Sequence, residues 1–186
     1  MDIKKAVFLD RDGVITEDPP HYAHRIDQVN IIAGSGEAIR LLNECGYLVI
    51  VVSNQSGVAK GYYLEHDIGL FNEEMKRKLS LENAHIDATY YCPHHPDGIV
   101  EEFGISCKCR KPQPGMLTQA AEQHRIDLQA SYMVGDKFSD IVAGNSVNCR
   151  TIFVLTGHGK EEVSHLKGST VPVAINLLNA VKEYII

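Results

Sequence analysis

No apolar run in this chain approaches the roughly twenty residues that a membrane-spanning helix needs. The N-terminus lacks the charged, apolar and small-residue pattern of a secretory leader. Positive charge is also short, with 18 Lys and Arg against 24 Asp and Glu, a formal net charge of −6. That balance argues against nucleic acid or an anionic membrane as partner. There is no internal repeat, low-complexity tract or linker, and cysteine is sparse at five residues. Nothing points to an oxidising compartment, so a cytoplasmic location is expected. What is present suits one globular domain: 186 residues, 44% hydrophobic, enough for one good core. A single domain over 1–186 and a monomer are the expectations, with a small molecule as partner.

The most informative segment is Phe8-Leu9-Asp10-Arg11-Asp12-Gly13-Val14-Ile15. Ala6 to Leu9 reads as a short buried strand, and two carboxylates follow where it should end. In an open α/β sheet, ligands bind at the carboxyl ends of strands. Alternation along an extended segment aims Asp10 and Asp12 to the same side. Two such carboxylates repel unless a cation or a shared proton relieves them, which predicts a hard divalent metal, an acid/base pair, or both.

Leu48 to Val52 is a five-residue apolar run rich in β-branched side chains, which predicts a strand buried on both faces. It ends in Ser53-Asn54-Gln55-Ser56-Gly57. Hydroxyls, amides and a glycine there suit a phosphate cradle, although an ordinary polar turn would read the same in isolation. Tyr132 to Gly135 is a third strand, ending in Asp136-Lys137 with Asp140 at the start of the next helix. Three strand ends carrying Asp, Ser and Asp on one sheet edge support one another.

Three of the five cysteines fall within eighteen residues, in Cys92-Pro93-His94-His95 and Cys107-Lys108-Cys109. Cys92, His94, Cys107 and Cys109 have the composition of a closed, structural Zn²⁺ site. His95 is an adjacent alternative for the fourth ligand. A Cys107–Cys109 disulfide would be strained by its single-residue gap. Cys45 and Cys149 read as plain buried residues. Arg110 and Lys111 follow the ligands directly, and Pro112 and Pro114 stiffen the stretch. Two cations leaving a metal-fixed loop make a phosphate grip, in which Arg110 can fork onto a distant anion. Lys60 and Lys137 are further local cations that must override the global negative charge.

The ordered set Asp10-x-Asp12, Ser53, Lys111 and Asp136/Asp140 resembles the haloacid-dehalogenase superfamily of phosphotransferases, from Phe8 to about Thr156. The resemblance implies an α/β fold: a Rossmann-like three-layer parallel sheet with no large cap and a zinc-stapled loop over about 92–109. It implies Asp10 as the nucleophile that takes the phosphoryl group. Asp12 would be the general acid/base, with its backbone carbonyl on Mg²⁺. Ser53 and Lys111 would hold the phosphoryl oxygens, Asp136 would complete the Mg²⁺ site, and Asp140 would be a supporting acid. Asn54, Gln55, Ser56, Arg110 and Lys137 would contact substrate.

Chemistry agrees. A carboxylate with a pKa of roughly 3.9 is an ionised nucleophile at neutral pH. Asp12 must carry a proton, which crowding by Asp10 would favour. Within the superfamily, FLDRDGVI, SNQSGVAKGYY, CPHHP, CKCRKPQPGM and GDKFSDIVAG, in that order, resemble the sugar bisphosphate phosphatases, which implies a sugar phosphate as substrate. Histidinol-phosphate phosphatase is the near alternative, and a catalytically inactive zinc-binding partner subunit the remote one.

Strands alternating with helices predict right-handed parallel crossovers. Ser35 is expected to cap a helix over 36–45 that Gly46 stops. Further helices are expected over 65–81, 116–124, 138–144 and 174–185, the last from the spacing of Ile175, Leu178, Val181 and Ile185. Strands are expected over 88–91 and 151–155. The interval Thr16 to Gly34 should be a covering flap, with His21, Tyr22 and His24 as candidate sugar contacts.

Overall fold

The computed structural model describes residues 3–20 and 22–186. Its frame is a six-stranded sheet in the order β3-β2-β1-β4-β5-β6, with every neighbouring pair parallel. The strands are β1 (Ala6–Leu9), β2 (Leu48–Asn54), β3 (Ala88–Cys92), β4 (Tyr132–Gly135), β5 (Arg150–Val154) and β6 (Val173–Ala174). The helices are α1 (Ser35–Glu44), α2 (Glu65–Ser80), α3 (Gly115–His124), α4 (Phe138–Asn145), α5 (Gly159–Glu162) and α6 (Leu177–Tyr184).

The period-two alternation of β1 and β2 sorts their side chains between two faces. Val7, Leu9, Val49 and Val51 pack with Ile39 and Leu42 of α1, Phe71 and Met75 of α2, and Leu177 and Val181 of α6. Ala6, Phe8, Ile50 and Val52 pack with Met116, Leu117 and Ala120 of α3. Phe153 of β5 meets Ile141 of α4. The expected three-layer α/β/α arrangement follows, with no large cap.

The chain runs outward from β1 through β2 to β3, then returns to place β4 on the other side of β1. That reversal opens a crevice at the carboxyl ends of β1 and β4. Asp10 lies in it, its backbone N–H donating to the Val134 carbonyl at 3.0 Å.

Several local expectations change. Ser35 is the first helical residue, not the cap. Gly34 takes the cap position at φ 87°, a left-handed conformation natural to glycine. The Ser35 hydroxyl donates instead to the Val14 carbonyl at 3.0 Å. Gly46 does end α1, at φ 76°. The C-terminal helix is shorter than its periodicity suggested: Val173 and Ala174 pair with Phe153 and Val154 as an edge strand. Asn176 then caps α6, its side chain accepting from the Asn179 N–H at 2.9 Å. Ile175 is 68% exposed and not on the buried stripe. Pairing with the open edge of β5 takes Ala174 into the sheet, so the helix starts three residues later than expected.

Candidate active site

The crevice is a cleft of about 580 Å³ bordered by Asp10, Asp12, Ser53, Asn54, Gln55, Ser56, Arg110, Lys111, Lys137 and Asp140. Asp136 is fully buried beneath it, grouped with Asp10 and Asp140 closely enough for three carboxylates to share one cation. The residues singled out for phosphate chemistry therefore converge, though from three strand ends and one loop.

Asp10 sits at the tip of β1, 4% exposed. Its Oδ1 accepts from the Arg11 N–H at 2.8 Å and pairs with the Lys111 ammonium at 3.0 Å. Lys111 also pairs with Asp140 Oδ1 at 2.7 Å and donates to the Val52 carbonyl at 2.7 Å. Burial works against the ammonium charge, but Asp10 and Asp140 outweigh it and raise the lysine pKa. Asn54 docks the segment that carries Lys111. Its amide donates to the Lys111 carbonyl and accepts from the Lys111 N–H, both at 3.0 Å.

Asp136 and Asp140 are strained electrostatically. Burial, followed by the charge of Asp10, pushes Asp136 up to about 8. Burial raises Asp140 to about 6 against the pull of Lys111. Asp136 Oδ2 accepts from the His158 N–H at 2.8 Å, while its Oδ1 is buried with no hydrogen-bond partner. Gly13 and Gly157 close around this carboxylate, and a β-carbon on either would lie within 2.3 Å of Oδ2. An orphaned carboxylate oxygen beside two further carboxylates is a donor set that suits a hard divalent cation.

Asp12 is held differently from expectation. It does not join the Asp10 cluster. Its Oδ1 and Oδ2 accept a fork from Arg11 Nε and Nη2, both at 2.9 Å. Thr16 Oγ1 donates to Oδ1 at 3.2 Å and Gln55 Nε2 to Oδ2 at 2.9 Å. Gln55 Nε2 also donates to Ser53 Oγ at 2.7 Å, and Gln55 Oε1 accepts from Tyr63 at 2.8 Å. The Gln55 amide is thus spent on bracing Asp12 and Ser53. Lys137 turns to Asp18, pairing at 3.1 Å, and His158 Nε2 reaches the same Asp18 oxygen at 3.2 Å.

The zinc loop folds as anticipated. Sγ of Cys92, Cys107 and Cys109 lie 3.1–3.4 Å apart, and His94 Nδ1 lies 3.6 Å from Cys92 and 3.4 Å from Cys109. All five cysteines are free thiols, so no 107–109 bridge forms. His95 points elsewhere, its Nδ1 accepting from the Asp97 N–H at 3.1 Å. The loop passes directly into the cleft wall, where Arg110 Nη1 donates to the His94 carbonyl at 3.3 Å. Cys45 is exposed rather than buried, while Cys149 is buried and its thiol pushed up to about 12 by that burial.

From the flap, Tyr22 borders the cleft, and its hydroxyl accepts from Lys60 at 2.9 Å. Burial opposes ionisation of Tyr22, but hydrogen bonds from Lys60 and Ser56 and the charge of Arg110 lower its pKa overall. His24 does not border the cleft itself but stacks on the lining residue Tyr63, with ring centres 4.9 Å apart. His21 lies outside the described residues. Sequence reasoning missed Asp18, Tyr63, Asn72 and His158. None sits at a strand end beside a motif, and only the fold brings them to the cleft or its supports. Arg11 was in plain view inside the leading motif, but its burial was not foreseeable.

Residues 108–180 match the HAD-hydrolase-like family. The chain is 46% identical over 153 residues to the D-glycero-beta-D-manno-heptose-1,7-bisphosphate 7-phosphatase of Yersinia pestis, covering 82% of this chain and 81% of that protein. It is 43% identical over 170 residues to the protein of that name from Pasteurella multocida, covering 88% and 91%. Among solved structures, the D,D-heptose 1,7-bisphosphate phosphatase of B. bronchiseptica, complexed with magnesium and phosphate, superimposes with a TM-score of 0.86. It is 30% identical, with 96% of each chain covered. The Burkholderia thailandensis enzyme of the same description gives a TM-score of 0.72 at 30% identity, covering 97% and 98%. With relatives this similar over most of both chains, the protein belongs to the D-glycero-beta-D-manno-heptose-1,7-bisphosphate 7-phosphatase family of HAD-like hydrolases.

Proposed function

We propose that the chain is a Mg²⁺-dependent phosphatase that removes the 7-phosphate of D-glycero-D-manno-heptose 1,7-bisphosphate, a step in nucleotide-heptose and lipopolysaccharide-core biosynthesis. The names of the relatives make the β anomer the first substrate to test. The observation that carries the reading is the convergence of Asp10, Ser53, Lys111, Asp136 and Asp140 on one cleft.

Asp10 is the nucleophile: its carboxylate attacks phosphorus and the ester oxygen leaves, giving an aspartyl-phosphate on Asp10. Asp12 delivers the proton to that departing oxygen and takes one from the water that then hydrolyses the intermediate. Lys111 and Ser53 bind the phosphoryl oxygens, where transition-state charge is spread. Asp10 and Asp136, with the backbone carbonyl of Asp12, would hold Mg²⁺, and Asp140 supports the group by fixing Lys111. The ion would supply charge neutralisation at the phosphoryl oxygens. Cys92, His94, Cys107 and Cys109 would hold Zn²⁺ as a structural staple whose work is to present Arg110. Arg110 reads the second phosphate of a bisphosphate, while Asn54, Gln55, Ser56 and Lys137 shape the rest of the cleft, Gln55 from below it.

The chain acts as one domain and as a monomer in the cytoplasm. No helix among the described residues is long and apolar enough to cross a membrane.

The test is phosphate release from the β-configured bisphosphate with and without Mg²⁺, against the α anomer and histidinol phosphate. Mg²⁺-dependent release with the highest kcat/KM on a heptose bisphosphate, and with the 1-phosphate retained, is expected. A preference for histidinol phosphate would reassign the substrate, and no release from any ester would remove the phosphatase reading.

A further inference from the structure

Arg11 is a charged side chain where none is easily tolerated. It is 1% exposed, the bulkiest of the fully buried side chains. It does not border the cleft, so it is not a substrate ligand. All its donors turn inward. Nε and Nη2 fork onto the two oxygens of Asp12 at 2.9 Å, its one ion pair among the described residues. Nη1 donates to Asn72 Oδ1 on α2 at 3.2 Å, and Nη2 donates to the Ala23 carbonyl of the covering segment at 3.2 Å. The guanidinium lies over the Phe71 ring, 4.1 Å from its centre. A buried cation in this setting persists only when paired and hydrogen-bonded.

We propose that Arg11 is a positioning residue that aims the Asp12 carboxyl group at the leaving-group oxygen and ties that aim to helix α2 and the covering segment. The inference rests on the phosphatase reading and its assignment of Asp12 as acid. A two-point fork fixes both the distance and the rotation of a carboxyl plane, which a single ammonium contact cannot do. Two anchors from separate elements, Asn72 and Ala23, then hold the fork itself. Gln55 Nε2 donates to Oδ2 and Thr16 Oγ1 to Oδ1, so each oxygen of the fork takes a second bond that fixes the carboxyl plane. A proton donor loses rate steeply when it is displaced by a fraction of a bond length.

The readout is the dependence on leaving group. An alkoxide leaving from a sugar phosphate needs the proton, whereas p-nitrophenolate leaves with little help. The quantity to compare is kcat/KM, which covers steps up to departure of the leaving group and excludes hydrolysis of the phosphoenzyme. Arg11→Lys, which keeps the charge and loses the fork, should lower kcat/KM on the heptose bisphosphate by about tenfold or more. On p-nitrophenyl phosphate it should lose less than about threefold, since only the share contributed by acid catalysis is at stake.

Asn72→Ala removes one anchor and leaves the fork. It should show the same selectivity to a smaller degree, and it carries the test if the lysine variant does not fold by circular dichroism. Equal losses on both esters, or none in either folded variant, would overturn the proposal. Asp12→Asn is the control and should be the most selective of all. If it lost both esters equally, the acid assignment itself would fall and take the arginine's role with it. If the wild type released phosphate from neither ester, the phosphatase reading would be what failed.

Discussion

Asp10 and Lys111 lie 3.0 Å apart with both side chains almost fully buried, so each is the other's counter-charge. Asp10→Asn should abolish turnover, because a neutral amide does not attack phosphorus, while circular dichroism stays native. Wild-type-like phosphate release from pure, non-deamidated protein would rule out the covalent route. Lys111→Ala should depress kcat on every ester, since the transition-state charge is common to them. Arg110 is a different matter, because it stands at the end of the zinc loop and has no carboxylate partner among the described residues. Arg110→Ala should raise KM for the heptose bisphosphate far more than for a simple monophosphate ester. Equal effects on the two, measured by steady-state kinetics, would deny it a part in substrate choice. At this scale, membership of the cleft and its floor was legible where a charged group ended an apolar run, as at Asp10 and Asp136. It was not legible at Asp18, Tyr63 or His158, whose proximity to the cleft depends on loops returning from afar. Asp12 does border the cleft, but its partner was misjudged. Adjacency to Asp10 suggested crowding, and the side chain turned to Arg11 instead.

The Cys92–Cys109 loop is the element whose proposed function depends on a metal staple. With Zn²⁺ in place, a thiol reagent should titrate the exposed Cys45 alone. Chelation should expose Cys92, Cys107 and Cys109 to the reagent. Buried Cys149, with its thiol held up to about 12, should react only on unfolding. Mass-spectrometric counting of alkylated thiols checks this, and full labelling of the native chain without chelator would refute a resident ion. Helix α6 offers a contrast between surface and core. Lys182 pairs with Glu37 at 2.8 Å with both side chains well exposed, so Lys182→Ala should hardly move the melting temperature. Val181 is fully buried against α1 and the sheet, and Val181→Asp should cost roughly 3 kcal/mol or more, because the new carboxylate has no partner there. Helices with a long apolar stripe, such as α2, were readable from spacing. The start of α6 was not, because whether Val173 and Ala174 continue a helix or add to a sheet depends on an open edge at β5.

For the molecule as a whole, net charge and function pull in opposite directions. The chain carries −6 overall, and the cleft sets Arg110, Lys111 and Lys137 against Asp10, Asp12, Asp18 and Asp140, so its cations alone do not reverse the global sign and a bound divalent cation would have to supply the rest. The two halves of the core lie on opposite faces of one sheet and share every central strand. Heat or denaturant should therefore unfold the protein in a single transition, and two resolved calorimetric peaks would contradict a single domain. Phe8 is fully buried on the α3 face. Phe8→Ala should cost about 3–5 kcal/mol, read from the denaturant midpoint.

The sequence by itself determined the alternation of strands and helices, the strand ends that bear carboxylates, and the metal-binding chemistry of the Cys92–Cys109 loop. These are local properties, fixed by side-chain periodicity and by ligand types at short spacing. Only the tertiary structure decided which carboxylates lie within reach of one cation, which way Asp12 turns, and that Arg11 is interior. Those outcomes depend on the return of β4 beside β1 and on α2 and the covering segment closing over the leading motif. No local pattern encodes such long-range contacts.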